Sequence, residues 1–286
     1  IDIHKYRMIF WLASYPKSGN TWVRMFWRSY FLPSNQVFSL NKKGDLDLEV
    51  SNFPTPKQLM EANIDHTDFA NIAKNWITLQ DIINLNGKLN FLKTHNGNFT
   101  LNNYAFTNTD NTIGGIYIVR DPRDVVLSNA NHFGINNQES TNMIINMESY
   151  EIENFDTQNK KEFRRSLMGS WSSNYLSWKN YKGRKIHLIK YEDLVENPNK
   201  YFTKMLEYMK SIFPLNIDKD KIEKSIEETA FHKLQNLENQ EGFIEKGVGK
   251  FFRKGKVGEW KEKLEPKLSK QIEHHFKKEM LDLNYI

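Results

Sequence analysis

The chain has no cysteine in its 286 residues. That excludes a disulfide framework, a thiolate metal site and a cysteine nucleophile. It also fits a cytoplasm-like reducing compartment. No apolar run approaches the ~20 residues needed to cross a bilayer, so no membrane span is predicted. The N-terminus lacks the charged-then-apolar pattern of a leader, but the chain starts at Ile1, which leaves a removed leader open. Histidines number only eight and show no metal-ligand spacing, so no metal site is predicted. There is no internal repeat.

What is present suits an anionic ligand. Lys and Arg exceed Asp and Glu by 40 to 35, a net charge of +5. From Lys254 to Lys263 the lysines alternate with glutamates, which marks a solvated face rather than a nucleic-acid patch. A nucleic-acid partner is therefore not predicted. The apolar fraction of 39% and the aromatic fraction of 13% supply ample core. The length suits one α/β domain over residues 1–286.

The most informative stretch is Ser14-Tyr15-Pro16-Lys17-Ser18-Gly19-Asn20-Thr21-Trp22. It follows an apolar run, Met8 to Ala13, that reads as a buried strand, and it precedes a helix start at Val23. A strand, a tight loop with Gly and Lys, and a helix N-terminus together form an anion-binding device. Loop N–H groups and the helix dipole converge on one spot, and Lys17 adds a full charge. Here the Lys precedes the Gly, and no carboxylate stands out as a Mg²⁺ partner. Both points argue against the Gly-Lys-Ser/Thr loop of an ATP or GTP kinase.

Further strands are predicted at 90–95, 115–120 and 185–190. Helices are predicted near 57–62, 66–84, 161–181, 199–212, 218–228 and 266–281. A further helix opens at Asp121-Pro122, where Asp121 caps and Pro122 occupies the first position. Residues 134–160 read as a mobile loop with a little helix, and the glycine-rich stretch 236–259 reads as a flexible basic loop. Alternating strands and helices imply a central parallel sheet flanked by helices on both faces. Ligands of such sheets bind beyond the carboxyl ends of the strands. Those ends deliver Lys17, then Lys93 with His95 on one face, then Arg120, then Tyr191. Ser128 lies about two helical turns beyond Asp121. Arg120 and Ser128 are thus suited to grip one phosphate, and Arg253-Lys254-Gly255 offers a second cationic grip. A ligand with two phosphate-like ends is implied. Trp171, Tyr175 and Trp178 have core spacing.

These residues resemble a known family, the sulfotransferases that use 3′-phosphoadenosine 5′-phosphosulfate (PAPS). Tyr15 to Trp22 resembles the family's 5′-phosphosulfate loop, and Arg120 to Ser128 its 3′-phosphate segment. Arg253 to Lys261 resembles its C-terminal Arg-Lys-Gly-x-x-Gly-Asp-Trp-Lys loop. Lys93-Thr94-His95 resembles the Lys-Thr-His of the cytosolic branch, and Tyr191-Glu192-Asp193-Leu194 an element at the adenosine end. The motifs occur in the family's order.

The resemblance implies that a sulfuryl group passes from PAPS to a hydroxyl or amine of a small soluble acceptor, leaving PAP. The displacement would be in line and metal-free, with His95 as general base and Lys17 and Lys93 assisting. Lys17, Ser18, Gly19, Asn20 and Thr21 would cradle the 5′-phosphosulfate. Trp22 would stack on adenine, with Tyr191, Thr229 and Phe231 completing the adenosine site. Arg120, Ser128, Arg253, Lys254 and Gly255 would hold the 3′-phosphate. Asn20 stands where the animal enzymes commonly have Thr, and Glu259 where the family has Asp. The family's dimer motif is not matched at Glu265-Pro266 and Lys270, which leaves monomer and homodimer open. Acceptor-pocket walls are expected from residues 32–87, 132–160 and 236–250.

Overall fold

Ile9-Phe10-Trp11-Leu12-Ala13 is apolar without alternation, as suits a strand with neighbours on both sides and cover on both faces. In the computed structural model, which describes residues 8–41, 50–156 and 161–286, this run forms β1 (Ile9–Ser14), fully buried along its length. It leads into α1 (Asn20–Tyr30). There follow β2 (Val50–Asn52), α2 (Pro56–Glu61), α3 (Phe69–Lys74), α4 (Trp76–Asn84) and β3 (Asn90–Thr94). A short hairpin of β4 (Thr100–Leu101) and β5 (Tyr104–Ala105) precedes β6 (Thr112–Val119) and α5 (Pro122–Phe133). Next are α6 (Asn137–Ile145), a hairpin of β7 (Tyr150–Asp156) and β8 (Lys161–Leu167), α7 (Trp171–Lys179) and β9 (Ile186–Lys190). The remainder is helical: α8 (Tyr191–Glu196), α9 (Pro198–Lys210), α10 (Lys219–Glu228), α11 (Phe231–Glu241), α12 (Trp260–Lys263), α13 (Pro266–His275) and α14 (Lys277–Asp282).

The central sheet is parallel and five-stranded, in the order β2-β3-β1-β6-β9. Ala13 lies opposite Thr94 on β3, and Ser14 opposite Ile118 on β6. The carboxyl ends of these three strands are therefore level.

The chain gathers into two compact units. Among the described residues, one comprises 8–15, 50–118, 146–156 and 161–188, and holds most of the sheet. Its core centres on Trp11, whose ring meets Phe53 at 5.4 Å, Phe106 at 5.2 Å and Trp178 at 6.1 Å. The Trp11 indole N–H donates to Thr112 Oγ1 at 2.8 Å, so its one polar atom is satisfied inside the core. The other unit comprises residues 16–41, 119–145 and 189–286 and is helical. In it Phe26 stacks on Phe202 at 3.8 Å. A second apolar cluster there joins Met25 and Leu40 to Leu234, Phe243 and Phe252.

Several local expectations are corrected. Residues 161–181 do not form one long helix. Their first third pairs with β7 as a hairpin, and the helix begins only at Trp171. Gly169 stops the strand with a left-handed φ of 66°, and Ser170 caps α7 by accepting from the Ser173 N–H. Residues 134–160, expected as a loop with a little helix, contain the helix α6 and also the strand β7. The span 66–84 breaks at Asn75 into α3 and α4, and 266–281 breaks at Phe276 into α13 and α14. The expected basic loop begins later, because residues 236–241 continue α11. The wall segments 42–49 and 157–160 lie outside the described residues.

Trp11→Ala should cost about 3–5 kcal/mol, the range for emptying a large aromatic site in a packed core. Chemical denaturation should show the loss as a lowered midpoint with an unchanged slope.

Candidate active site

In the helical unit, the segment after β1 turns sharply. Lys17 has φ 64° and Gly19 φ 104°. Two left-handed conformations so close together fold the backbone back and expose N–H groups at the start of α1, with Val23 N–H closing the first turn onto the Gly19 carbonyl at 3.3 Å. At Gly19 a Cβ would lie 2.5 Å from the Tyr191 ring, so both the φ and the space demand glycine. The Ser18 hydroxyl is buried and has no hydrogen-bond partner. A buried hydroxyl left open just before a helix N-terminus fits an anion such as the 5′-phosphosulfate.

The cations around this loop are held by the chain itself. Lys17 Nζ sits 3.9 Å from the centre of the Phe251 ring. Arg120, directly after β6, donates to the Lys17 carbonyl at 3.1 Å and to the Lys256 carbonyl at 3.2 Å, and lies over the Tyr191 ring at 4.4 Å. Arg253 donates to both carboxylate oxygens of Glu259, and Lys254 Nζ stands 2.9 Å from the same carboxylate. Those hydrogen bonds hold the Glu259 pKa down at about 2. Gly255, at φ 62°, packs against the Phe231 ring where any Cβ would collide.

Tyr191 is the first residue of α8, and burial raises its pKa. Trp22 meets Tyr191 and Phe202 edge-on at 6.1 and 5.4 Å. The Thr229 hydroxyl donates to the Ser225 carbonyl at 2.6 Å, closing the end of α10. Ser128 sits half-buried on α5, whose start is capped by Asp121 with Pro122 following, as predicted.

Sequence reasoning missed the residues that hold this assembly. Asp124 accepts from the N–H groups of Gly258 at 2.7 Å and Trp260 at 3.0 Å, and burial raises its pKa. Glu238 accepts from the N–H groups of Phe251 and Phe252, at 2.7 and 2.8 Å, and so positions the residues just before Arg253. Arg24 forms a two-pronged pair with Glu245 at 2.7 and 2.6 Å and also grips Asn20 and Thr21. The only sequence signal for Arg24 was its spacing, three and four residues beyond Thr21 and Asn20 on one helix face.

In the sheet unit, His95 directly follows β3 and is buried. Its Nδ1 lies 2.7 Å from the Ser14 carbonyl, at the end of β1. A carbonyl only accepts, so Nδ1 carries the proton and the neutral ring keeps its lone pair on Nε2. The segment is fastened from α7: Asn174 donates to the His95 carbonyl at 3.0 Å, and the Trp178 indole to the Asn96 carbonyl at 2.9 Å. Lys93 is buried beside Glu151 at 3.6 Å.

A strand that runs into a tight loop with two left-handed residues and a helix N-terminus suits an anionic ligand. The sulfotransferase-domain family matches residues 9–284, and the chain belongs to that family; it is a PAPS-dependent sulfotransferase. It is 26% identical to dog sulfotransferase 1B1 over 277 residues, which is 94% of this chain and 82% of that protein. Its fold is similar to that of mouse sulfotransferase SULT7A1 solved with PAP, with a TM-score of 0.55 at 18% identity, covering 96% of this chain and 84% of that one. It is likewise similar to retinol dehydratase solved with retinol and PAP, with a TM-score of 0.57 at 17% identity and coverage of 96% and 81%.

Gly19→Ala should weaken PAP binding at least tenfold by calorimetry and lower the melting temperature, because the Tyr191 ring must move. Gly87→Ala, where a Cβ meets nothing within 4 Å despite a positive φ, should lower the melting temperature alone.

Proposed function

We propose that this sulfotransferase sulfates a hydroxyl or amine of a small soluble acceptor by metal-free in-line displacement, with His95 as general base. The observation that carries it is the 2.7 Å contact from His95 Nδ1 to the Ser14 carbonyl. It fixes the tautomer of a buried ring at the end of the strand that runs on into the Lys17 loop. We take residues 1–286 to work as one sulfotransferase domain, since one family spans both compact units. Cytoplasmic residence and a monomer or homodimer belong to the same reading.

The orphaned Ser18 hydroxyl and the two obligatory glycines fit PAPS. Ser18, Gly19, Asn20 and Thr21 would hold the 5′-phosphosulfate, and Trp22, Tyr191, Thr229 and Phe231 the adenosine. Arg120, Ser128, Arg253, Lys254 and Gly255 would hold the 3′-phosphate. When bound, PAPS supplies the electrophilic sulfur and leaves as PAP. His95 Nε2 takes the acceptor's proton as the acceptor's oxygen or nitrogen bonds to sulfur. Lys17, aided by Lys93, offsets the negative charge that grows on the departing oxygen. A sulfuryl group carries less charge than a phosphoryl group, so cationic side chains suffice. Retinol beside PAP in a solved relative supports a small-molecule acceptor.

Calorimetry with PAP should show binding that is indifferent to Mg²⁺ and stronger than for ATP. Arg120→Ala should weaken it roughly tenfold or more, as for a lost charged hydrogen bond. Unchanged affinity removes Arg120 from the phosphate site, and a preference for Mg-ATP overturns the reading. With radiolabelled PAPS and a panel of phenols, alcohols and amines, His95→Ala should lose about 10²–10⁴-fold in transfer rate while PAP affinity persists.

A further inference from the structure

The hairpin of β7 and β8 has no motif in the sequence, yet it brings a carboxylate to the buried Lys93. Glu151 stands opposite Ser166, and the next pair is Ile152 opposite Arg164, so Arg165 is an extra residue in β8. Such a bulge re-aims a side chain that a regular strand would send to the other face. Both neighbours thus reach one carboxylate. Arg165 Nη1 lies 3.8 Å from Glu151 Oε1, and the Ser166 hydroxyl donates to Oε2 at 3.0 Å. Lys93 Nζ completes the cluster at 3.6 Å from Oε1.

The hairpin is bolted to the His95 segment. The Leu167 N–H donates to Asn96 Oδ1 at 2.8 Å, and the Gly97 N–H donates to the Leu167 carbonyl at 3.0 Å. The position of Glu151 relative to Lys93 and His95 is therefore set by backbone hydrogen bonds as well as by charge. We propose that Glu151 is a positioning residue for the transfer step, fixing the Lys93 ammonium and supplying the negative charge that favours a protonated His95. This rests on His95 as the base.

Glu151 does not compete as a base. Burial raises its pKa, but Lys93, His95 and Arg165 outweigh burial and hold it at about 2, so it stays ionised throughout the neutral range. Electrostatic coupling is mutual: if a charged His95 favours the Glu151 carboxylate, that carboxylate favours a charged His95. Glu151 from β7 faces Lys93 from β3 and Arg165 and Ser166 from β8, while the His95 ring meets the neutral carbonyl and hydroxyl of Ser14 and interacts electrostatically with Glu151. Without Glu151, the ring loses the one carboxylate that interacts with it and the buried Lys93 and Arg165 lose their counter-charge, so its proton affinity falls. Without Arg165, the carboxylate acts with less opposition, and the affinity rises. A general base that is too weakly basic draws the acceptor's proton poorly.

The test is NMR titration of the His95 imidazole in the full chain labelled at histidine, with the signal assigned by its loss in His95→Ala. In Glu151→Gln the midpoint should fall by about one pH unit, the size expected for losing a close opposite charge. In Arg165→Gln it should rise. PAP affinity should stay within about twofold in both, since a general loss of fold would lower it too. Should Glu151→Gln not fold, Arg165→Gln decides alone through the direction of its shift. Midpoints that do not move in the folded variants overturn the proposal. Failure of the base itself looks different: His95→Ala would then retain transfer activity while the NMR midpoints still shift.

Discussion

The parallel pairing of β1 between β3 and β6 is the constraint on which the site depends. Parallel strands run in one direction, so the segments that follow them all emerge at one end of the sheet. With Ala13 opposite Thr94 and Ser14 opposite Ile118, the register leaves no slack among three successive exits. The second of these exits is His95, held against the Ser14 carbonyl that ends β1. A slip of one residue in β3 would turn Lys93 and His95 to the opposite face and separate the imidazole from the Ser14 carbonyl. The buried Trp11 cluster, which fixes β1 against Phe53, Phe106 and Trp178, therefore also fixes the segment that carries His95, through Trp178 and the Asn96 carbonyl.

The helical unit stores its cations on weak or exchangeable partners. A Lys on an aromatic face gains about 0.5–2 kcal/mol, far less than a desolvated ammonium gains from a phosphate oxygen. Lys17 rests in that way on Phe251, and Arg120 rests on two carbonyls and the Tyr191 ring. Glu259 and Glu245 hold Arg253, Lys254 and Arg24 more firmly. Such pairs keep like charges from repelling one another, and on the proposed reading they limit the side-chain entropy lost when a polyanion binds. The compensating cost is that a ligand must compete with carboxylates already in place.

The sheet, its parallel sense, the Lys17 loop and the Asp121 cap were legible because each depends on local pattern: an unbroken apolar run, a Gly beside a Lys, an Asp before a Pro. The contacts of Gly19 with Tyr191 and of Gly255 with Phe231 join motifs far apart in sequence; strand order pointed to the first pair, and only the family resemblance to the second. The β7–β8 hairpin was not legible. Its run Lys-Lys-Glu-Phe-Arg-Arg is rich in helix formers, and the pairing that overrides this propensity is long-range. Asp124, Glu238 and Glu245 escaped notice because a surface-type acid in sequence does not reveal which backbone N–H or guanidinium it will meet.

The residues that sequence did not reveal share a type. Nearly all are carboxylates, in a chain whose excess charge is positive. A basic chain that binds an anion needs its cations aimed, and a cation is aimed most firmly by an opposite charge or an oriented dipole. In the helical unit the aimed cations stay open to exchange: the side chains of Arg253 and Lys254 are 33% and 43% exposed while both are paired with Glu259. In the sheet unit Lys93 and Arg165 are only 8% and 13% exposed around Glu151, so their charges are not traded with solvent. This difference in burial suits the roles proposed for each cluster: cations proposed to hold a cofactor would have to pass to the ligand and return when it leaves, whereas a proposed base needs the same field around it at every turnover.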